Sequence, residues 1–327
     1  MRNVIPTAIA VIKDNLRSRT TIGFIIIFPL LLAIVFSFIG MAFQPKVIVY
    51  VNGVNATQIA EYLNTSKIFT AYVGGSPSVV KDFNAIFVNT TSHRIYYSQL
   101  TENYMPVLNA YLSSYDFPKD YGGVMETTRN TPIAYEISGV IGVIALSNGV
   151  FGVTGVGSGY YRDKLVERLA SSPIKDYEWV LALMIYEVVI TLISSIAVLI
   201  IGVIMGFIPD FGLPFLGIYI LSTLMFSGLG AIILGLTPKE KIILANIVSN
   251  FIVFPLMFFS NAFYSASIFP SVLKIIAEYQ PVSIINDLVR ETLVLQQLPN
   301  PIYLGEVILL TLVFLAVGSR LLRLREV

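Results

Sequence analysis

Six stretches of this 327-residue chain run for about twenty residues with at most one Asp, Glu, Lys or Arg. Inside a bilayer no water bonds the backbone, so a stretch of that kind crosses as a helix that satisfies its own N–H and C=O groups. The stretches are Thr20 to Pro45, Ile137 to Tyr161, Trp179 to Pro209 (interrupted by Glu187), Phe211 to Pro238, Ile242 to Leu273, and Ile302 to Ser319 with Glu306 near its start. The segment Ile208-Pro209-Asp210-Phe211-Gly212-Leu213-Pro214 makes a tight turn between the third and fourth. Composition agrees. Apolar residues are 55% and charged residues 13%, against about 25% charged in soluble domains, so a purely soluble enzyme is excluded.

Basic residues set the orientation. Arg2, Lys13, Arg17 and Arg19 precede the first span; Arg162, Lys164, Arg168 and Lys175 follow the second; Lys239 and Lys241 follow the fourth; Arg320, Arg323 and Arg325 end the chain. The short loops on the other side hold only Lys274 and Arg290. The positive-inside rule then puts both termini in the cytoplasm of a multi-pass protein of the cell membrane. A net charge of +1 argues against nucleic-acid binding. The absence of Cys excludes disulfides and thiolate metal sites, and a single histidine, His93, argues against zinc centres and histidine triads. His93 reads as an ordinary surface or strand residue.

Residues 1–19 read as an amphipathic interfacial helix, with Ile5, Ala8, Ile9, Ile12 and Leu16 on one face. Residues 20–43 form a first span that is retained as an anchor, being longer than a signal-peptide core. Residues 44–135 shift to Asn, Ser, Thr and Tyr and read as a small extracellular α/β domain. Its expected strands are Lys46–Val51, Ile68–Val73, Ala85–Val88 and Arg94–Tyr97, and its helices Ala56–Leu63 and Glu102–Tyr115. Its three Asn-x-Ser/Thr sequons, at Asn55, Asn64 and Asn89, are possible glycosylation sites. Residues 136–319 hold the five further spans and 320–327 a basic cytoplasmic tail. The fold class expected is an all-α polytopic membrane protein of six spans with an α/β domain inserted after the first.

Three features could carry function. The loop 160–178 alternates charge around Leu165 and Leu169, an i,i+4 pair, and Pro173 ends that segment. It suits docking into a groove of a soluble partner, or is a solvated loop whose charges enforce topology. The second span is rich in glycine, with small-xxx-small pairs at Ala145/Gly149 and Gly155/Gly159 that suit a dimer seam or packing within the subunit. Polar residues in the spans, Asn148, Glu187, Asn246 and Asn250, are candidates for a translocation path. Glu187, about two turns past Glu178, would reach the cytoplasmic interface. Trp179 belongs to the interfacial aromatic belt.

Glu167-Arg168-Leu169-Ala170-Ser171-Ser172-Pro173 followed by Tyr177-Glu178-Trp179 resembles the Glu-Arg-Leu segment of ABC transporter permeases of the type 2, drug- and polysaccharide-exporter class. Phe269-Pro270, Tyr279-Gln280-Pro281-Val282-Ser283 and Asp287-Leu288-Val289-Arg290 resemble a second motif set of that family, with Gln280 where the family has Asn. Lys164-Leu165-Val166 stands where the family has Gly-Thr-Leu. The order of elements agrees along essentially the whole chain. The resemblance implies that Asp163, Leu165, Glu167, Arg168, Leu169 and Pro173 couple to an ATPase. It implies an external re-entrant segment over 267–297 with Pro270, Pro281, Asp287 and Arg290. It implies a complex of two permeases with two ATPase subunits, in contact with membrane lipid. The chain has no Gly-Lys dipeptide and therefore no phosphate-binding loop. ATP and Mg would be bound by the partner ATPase, with no cofactor and no enzymatic activity on this chain. The competing reading is a membrane-anchored sensor or assembly protein with an extracellular ligand-binding domain and no substrate flux.

Overall fold

The computed structural model describes residues 3–17, 46–81, 85–98, 101–114, 121–125, 132–264 and 271–322, with a few isolated positions besides. The expected first span, Pro270, and Arg323 and Arg325 of the tail lie outside the described residues. The chain divides into two compact units, residues 39–135 and residues 1–38 with 136–327.

The smaller unit is an α/β layer pair. Strands β1 (Val47–Asn52), β2 (Phe69–Val73), β3 (Ala85–Asn89), β4 (Arg94–Tyr97) and β5 (Gly122–Met125) form one sheet in the order β2-β1-β3-β4-β5. β1 runs parallel to both neighbours, β3–β4 is antiparallel, and β4 is parallel to β5. Val47, Val49 and Val51 alternate onto one face, as the two-residue period of a strand demands. Helices α2 (Ala56–Asn64) and α3 (Met105–Ser114) bring Ile59, Leu63, Leu108 and Leu112 into the same core. Gly53 ends β1 with φ +118, and a Cβ there would lie 2.8 Å from the Thr91 amide nitrogen. His93 sits in the β3–β4 turn with φ 51, its ring 5.5 Å from Tyr121.

The larger unit is helical: α1 (Val4–Arg17), α4 (Pro132–Ser147), α5 (Val153–Arg162), α6 (Leu165–Ala170), α7 (Asp176–Ile204), α8 (Leu213–Leu236), α9 (Ile243–Phe258), α10 (Ser271–Tyr279), α11 (Pro281–Val289) and α12 (Pro301–Leu321). A π turn, Asn148–Gly152, joins α4 to α5 in one rod, and a second, Arg290–Val294, extends α11. Four helices are long and apolar enough to cross a membrane: Ile133–Arg162, α7, α8 and α12. α8 and α12 approach closely. A Cβ on Gly228 would lie 2.9 Å from backbone of Phe314, and one on Gly318 2.8 Å from the Gly228 carbonyl oxygen.

The apolar stretch 242–273 is not one straight helix. α9 stops at Phe258, with Pro255 in its last turn. Its 16 residues span about 24 Å, short of the ~30 Å hydrocarbon layer. Residues 259–264 are irregular, and the short helices α10 and α11 follow further along the chain. A charge-free stretch reports solubility in lipid, not backbone geometry, and here the loop carbonyls are bonded by Arg290.

α1 is helical as expected, and its apolar residues divide between two faces. Val4, Ala8 and Val11 are buried, and α1 packs on α7, whereas Ile5 and Ile9 are exposed. With apolar residues around most of the helix, periodicity alone does not fix which stripe meets protein.

The basic segments converge on one end of this unit. The Asn3 side chain donates to the Pro173 carbonyl (3.2 Å), Lys239 stands over the Tyr161 ring (6.0 Å), and the end of α8 meets Leu321 at Gly235. At the other end the Asp210 amide donates to the Leu293 carbonyl (2.9 Å).

Candidate functional site

The loop after α5 folds into a helix of six residues, α6. The connecting turn is Asp163-Lys164, and Lys164 takes φ 56 and ψ 21, the left-handed conformation. A residue with a Cβ pays roughly 1–2 kcal/mol there and glycine far less. The Lys-for-Gly departure noted above therefore keeps the turn and changes its strain. Val166 and Ile174 are buried and hold the loop to the unit, while Leu165 and Leu169 are half-buried. Glu167, Arg168 and Pro173 are exposed. Asp163 pairs with Arg162 at 3.0 Å in the open, where water screens the pair. The loop is also tied to neighbouring helices. Glu178 accepts from the Lys175 amide (3.2 Å) and the Asn3 side chain (3.4 Å), and Tyr160 donates to Asp14 at 3.4 Å. The Tyr160 and Trp179 rings are 5.1 Å apart, and Trp179 is fully buried within the unit.

A second cluster fastens the irregular segment after α9. Arg290, 7% exposed, donates through Nη2 to the carbonyl oxygens of Asn261 (2.7 Å) and Ala262 (3.4 Å), and through Nη1 to Asp287 Oδ1 (3.3 Å). Asn261 Nδ2 donates to the same Asp287 oxygen at 2.7 Å, and Asn286 Nδ2 donates to Asn261 Oδ1 at 3.1 Å. The Asn261 amide donates to Ser283 Oγ (3.0 Å). Pro281 starts α11, where its missing N–H is harmless. Gly139 and Gly142 of α4 face this cluster: a Cβ on the first would overlap the Ala262 carbonyl, and on the second the Asn286 side-chain oxygen. The family resemblance singled out Asp287, Arg290 and Ser283, and the glycine-rich second span contained Gly139 and Gly142 with no partner assigned; Asn261 and Asn286 were missed. Asn261 was legible as a second kind of signal, an amide in the same apolar stretch as Asn246 and Asn250.

The four polar span residues do not form one site. Asn148 begins the π turn and donates to Ser194 Oγ at 3.0 Å. Asn250 is exposed on α9 and donates to the carbonyl of half-buried Asn246 at 2.9 Å. Phe251 and Phe254 are exposed beside them, and Phe254 reaches Phe151 of the π turn with ring centroids 6.4 Å apart. Glu187 is 0% exposed, inside the subunit against Gly152, and does not reach an interface. Among the glycine pairs, Gly149 packs on Phe226, whereas Gly155 and Gly159 meet nothing within 4 Å.

In the smaller unit Asn55 caps α2 in the left-handed conformation. Asn64 clasps Ala71 through both amide atoms (2.9 and 2.7 Å), and Asn89 Oδ1 accepts from the Thr91 and Ser92 amides at 3.0 Å each. No group of three or more His, Cys, Asp or Glu suited to a metal occurs among the described residues.

Residues 83–294 match the sequence model of the ABC-2 type transporter family. The match begins in the smaller unit and ends with the second π turn, leaving α1 and α12 outside it. No curated protein and no solved structure matches the chain.

Proposed function

We propose, for a chain that belongs to the ABC-2 type transporter family and is a permease of that type, that it forms the transmembrane path of an exporter driven by a separate ATPase. The observation that carries this reading is α6, a short helix with Glu167 and Arg168 exposed, joined to α5 by a two-residue turn. So short a joint transmits displacement rather than absorbing it. Two ATPase subunits holding ATP and Mg would close on nucleotide and push α6 and α5 toward a second packing. Converting a 1:99 population to 99:1 takes about 5.5 kcal/mol of differential affinity. The working unit is two permeases with two ATPases.

The convergence of the basic segments at one end supports six crossings with both termini in the cytoplasm of the cell, and the 44–135 domain outside. The path is assigned to the exposed stripe of α9 around Asn246 and Asn250 and to the neighbouring π turn at Asn148. The segment 267–297 is re-entrant from the outer side. Of the sequons, Asn55 is the one favoured for glycan attachment, because the side chains of Asn64 and Asn89 are engaged in turns.

Two measurements test this. Leu169→Asp places a charge on the half-buried side of α6; the variant should insert normally yet lose most of the ATPase recovered with the tagged permease in pull-down. Undiminished recovery would remove α6 from the interface. Protease added to intact cells should cut between residues 44 and 135 and spare Lys239 to Lys241; the opposite pattern inverts the topology.

A further inference from the structure

The carboxylate of Glu187 is fully buried in the larger unit with neither oxygen bonded to a protein group. Its surroundings are specific. It faces Gly152, the last residue of the π turn, where a Cβ would occupy the place of the carboxylate. Thr191 stands one turn further along α7, also fully buried, with its hydroxyl unbonded. Ser147, at the start of the π turn, and Ser227 of α8 are buried with unbonded hydroxyls as well. Ser227 sits at Gly149: a Cβ on that glycine would lie 2.9 Å from the Ser227 amide nitrogen. Asn148 and Ser194 tie the turn to α7 beside this group.

Among the described residues no cation pairs with Glu187. The bases on the elements packed against α7 are Lys13 and Arg17 of α1, Arg162 of α5 and Arg320 of α12, and none pairs with it. The acids Asp14 and Glu306 and the tyrosines Tyr160, Tyr186 and Tyr219 give it no hydrogen bond either. A bare carboxylate buried in this way is unfavourable unless something neutralises it. Glu187 and Thr191 offer only oxygens, which suit a hard cation, and the single negative charge suits a monovalent one.

We propose that Glu187, beside the π turn Asn148–Gly152 and with the hydroxyl of Thr191, binds one monovalent cation, a proton or Na+. This goes beyond the transport reading and does not depend on it: the site is built within one chain. Its occupancy would hold the irregular turn of the rod that leads to α6. π turns of this kind recur at functional positions in helices.

The test is thermal unfolding of the full chain in detergent, followed by fluorescence of Trp179, the single tryptophan. The titrants are NaCl against choline chloride at fixed ionic strength, and pH from about 5 to 8. If Na+ is the ligand, the midpoint rises with Na+ in the natural protein and Glu187→Gln abolishes the response. Thr191→Val then demands about tenfold more Na+ for the same rise, the worth of one ligand bond. If the proton is the ligand, Na+ does nothing and the midpoint falls as pH rises. Glu187→Gln, a neutral isostere, then removes that fall and matches the natural protein at low pH. Natural protein and Glu187→Gln responding identically to both titrants overturns the site. Should Glu187→Gln not fold, a natural protein indifferent to both Na+ and pH overturns it equally.

Discussion

Gly139→Ala should abolish most of the folded, detergent-stable protein, whereas Gly155→Ala, on the same rod, should leave it unchanged. The two glycines differ only in what they meet. A Cβ on Gly139 overlaps the carbonyl oxygen of Ala262, which is backbone, and Gly155 meets nothing within 4 Å. Flexible side chains move aside for an added methyl; a backbone carbonyl held by Arg290 does not. Overpacking of a tight core costs about 1–3 kcal/mol and more when backbone must shift, a large share of a total stability of roughly 5–15 kcal/mol. Size-exclusion profiles and unfolding midpoints of the two variants decide the matter. A Gly139→Ala protein as stable as the natural one would show that α4 is not the seat of the irregular segment.

Arg290→Met should destabilise the same region by about 3 kcal/mol. It deprives the Asn261 and Ala262 carbonyls of their charged donor and leaves Asp287 without its cation. Asp287 is about one-third exposed on its side chain, 34%, so water tempers the second effect. Adding Asp287→Asn should therefore recover part of the loss and not all of it, since the carbonyls stay unbonded. A double-mutant cycle on unfolding midpoints measures the share. Full recovery would mean that Arg290 serves only to neutralise Asp287; no recovery, that the ion pair contributes nothing and the carbonyl contacts everything.

These predictions rest on features that the amino-acid pattern reveals unevenly. The strands β1 to β4 and helix α2 stand within one or two residues of where alternation and spacing put them, because a half-buried strand or helix writes its period into the chain. β5 was missed: Gly122-Gly123-Val124-Met125 carries no alternation, and its pairing with β4 is a tertiary fact. The long spans α7, α8 and α12 were legible from the scarcity of charge alone. The end of α9 was not, because what makes a break tolerable there is a guanidinium about thirty residues further on. The π turns were equally hidden, since an extra residue in a turn leaves composition untouched. For the candidate site, α6 and the Asp287–Arg290 pair were readable from charge placement and family pattern. The partners that give them meaning, Asn261, Asn286, Gly139 and Gly142, come from other segments and needed coordinates.

The grooved contact of α12 with α8 has a consequence for how the protein is made. α12 enters the membrane well after α8, and only 17% of its apolar window is covered by the rest of the unit. Its hold on the finished fold is concentrated where Gly228, Gly235 and Gly318 let two backbones touch. Insertion and docking are thus separable events during biogenesis. A bulky residue at Gly318 would yield a molecule with α8 and α12 both integrated but α12 adrift in the lipid, a species for membrane quality-control proteases rather than for assembly.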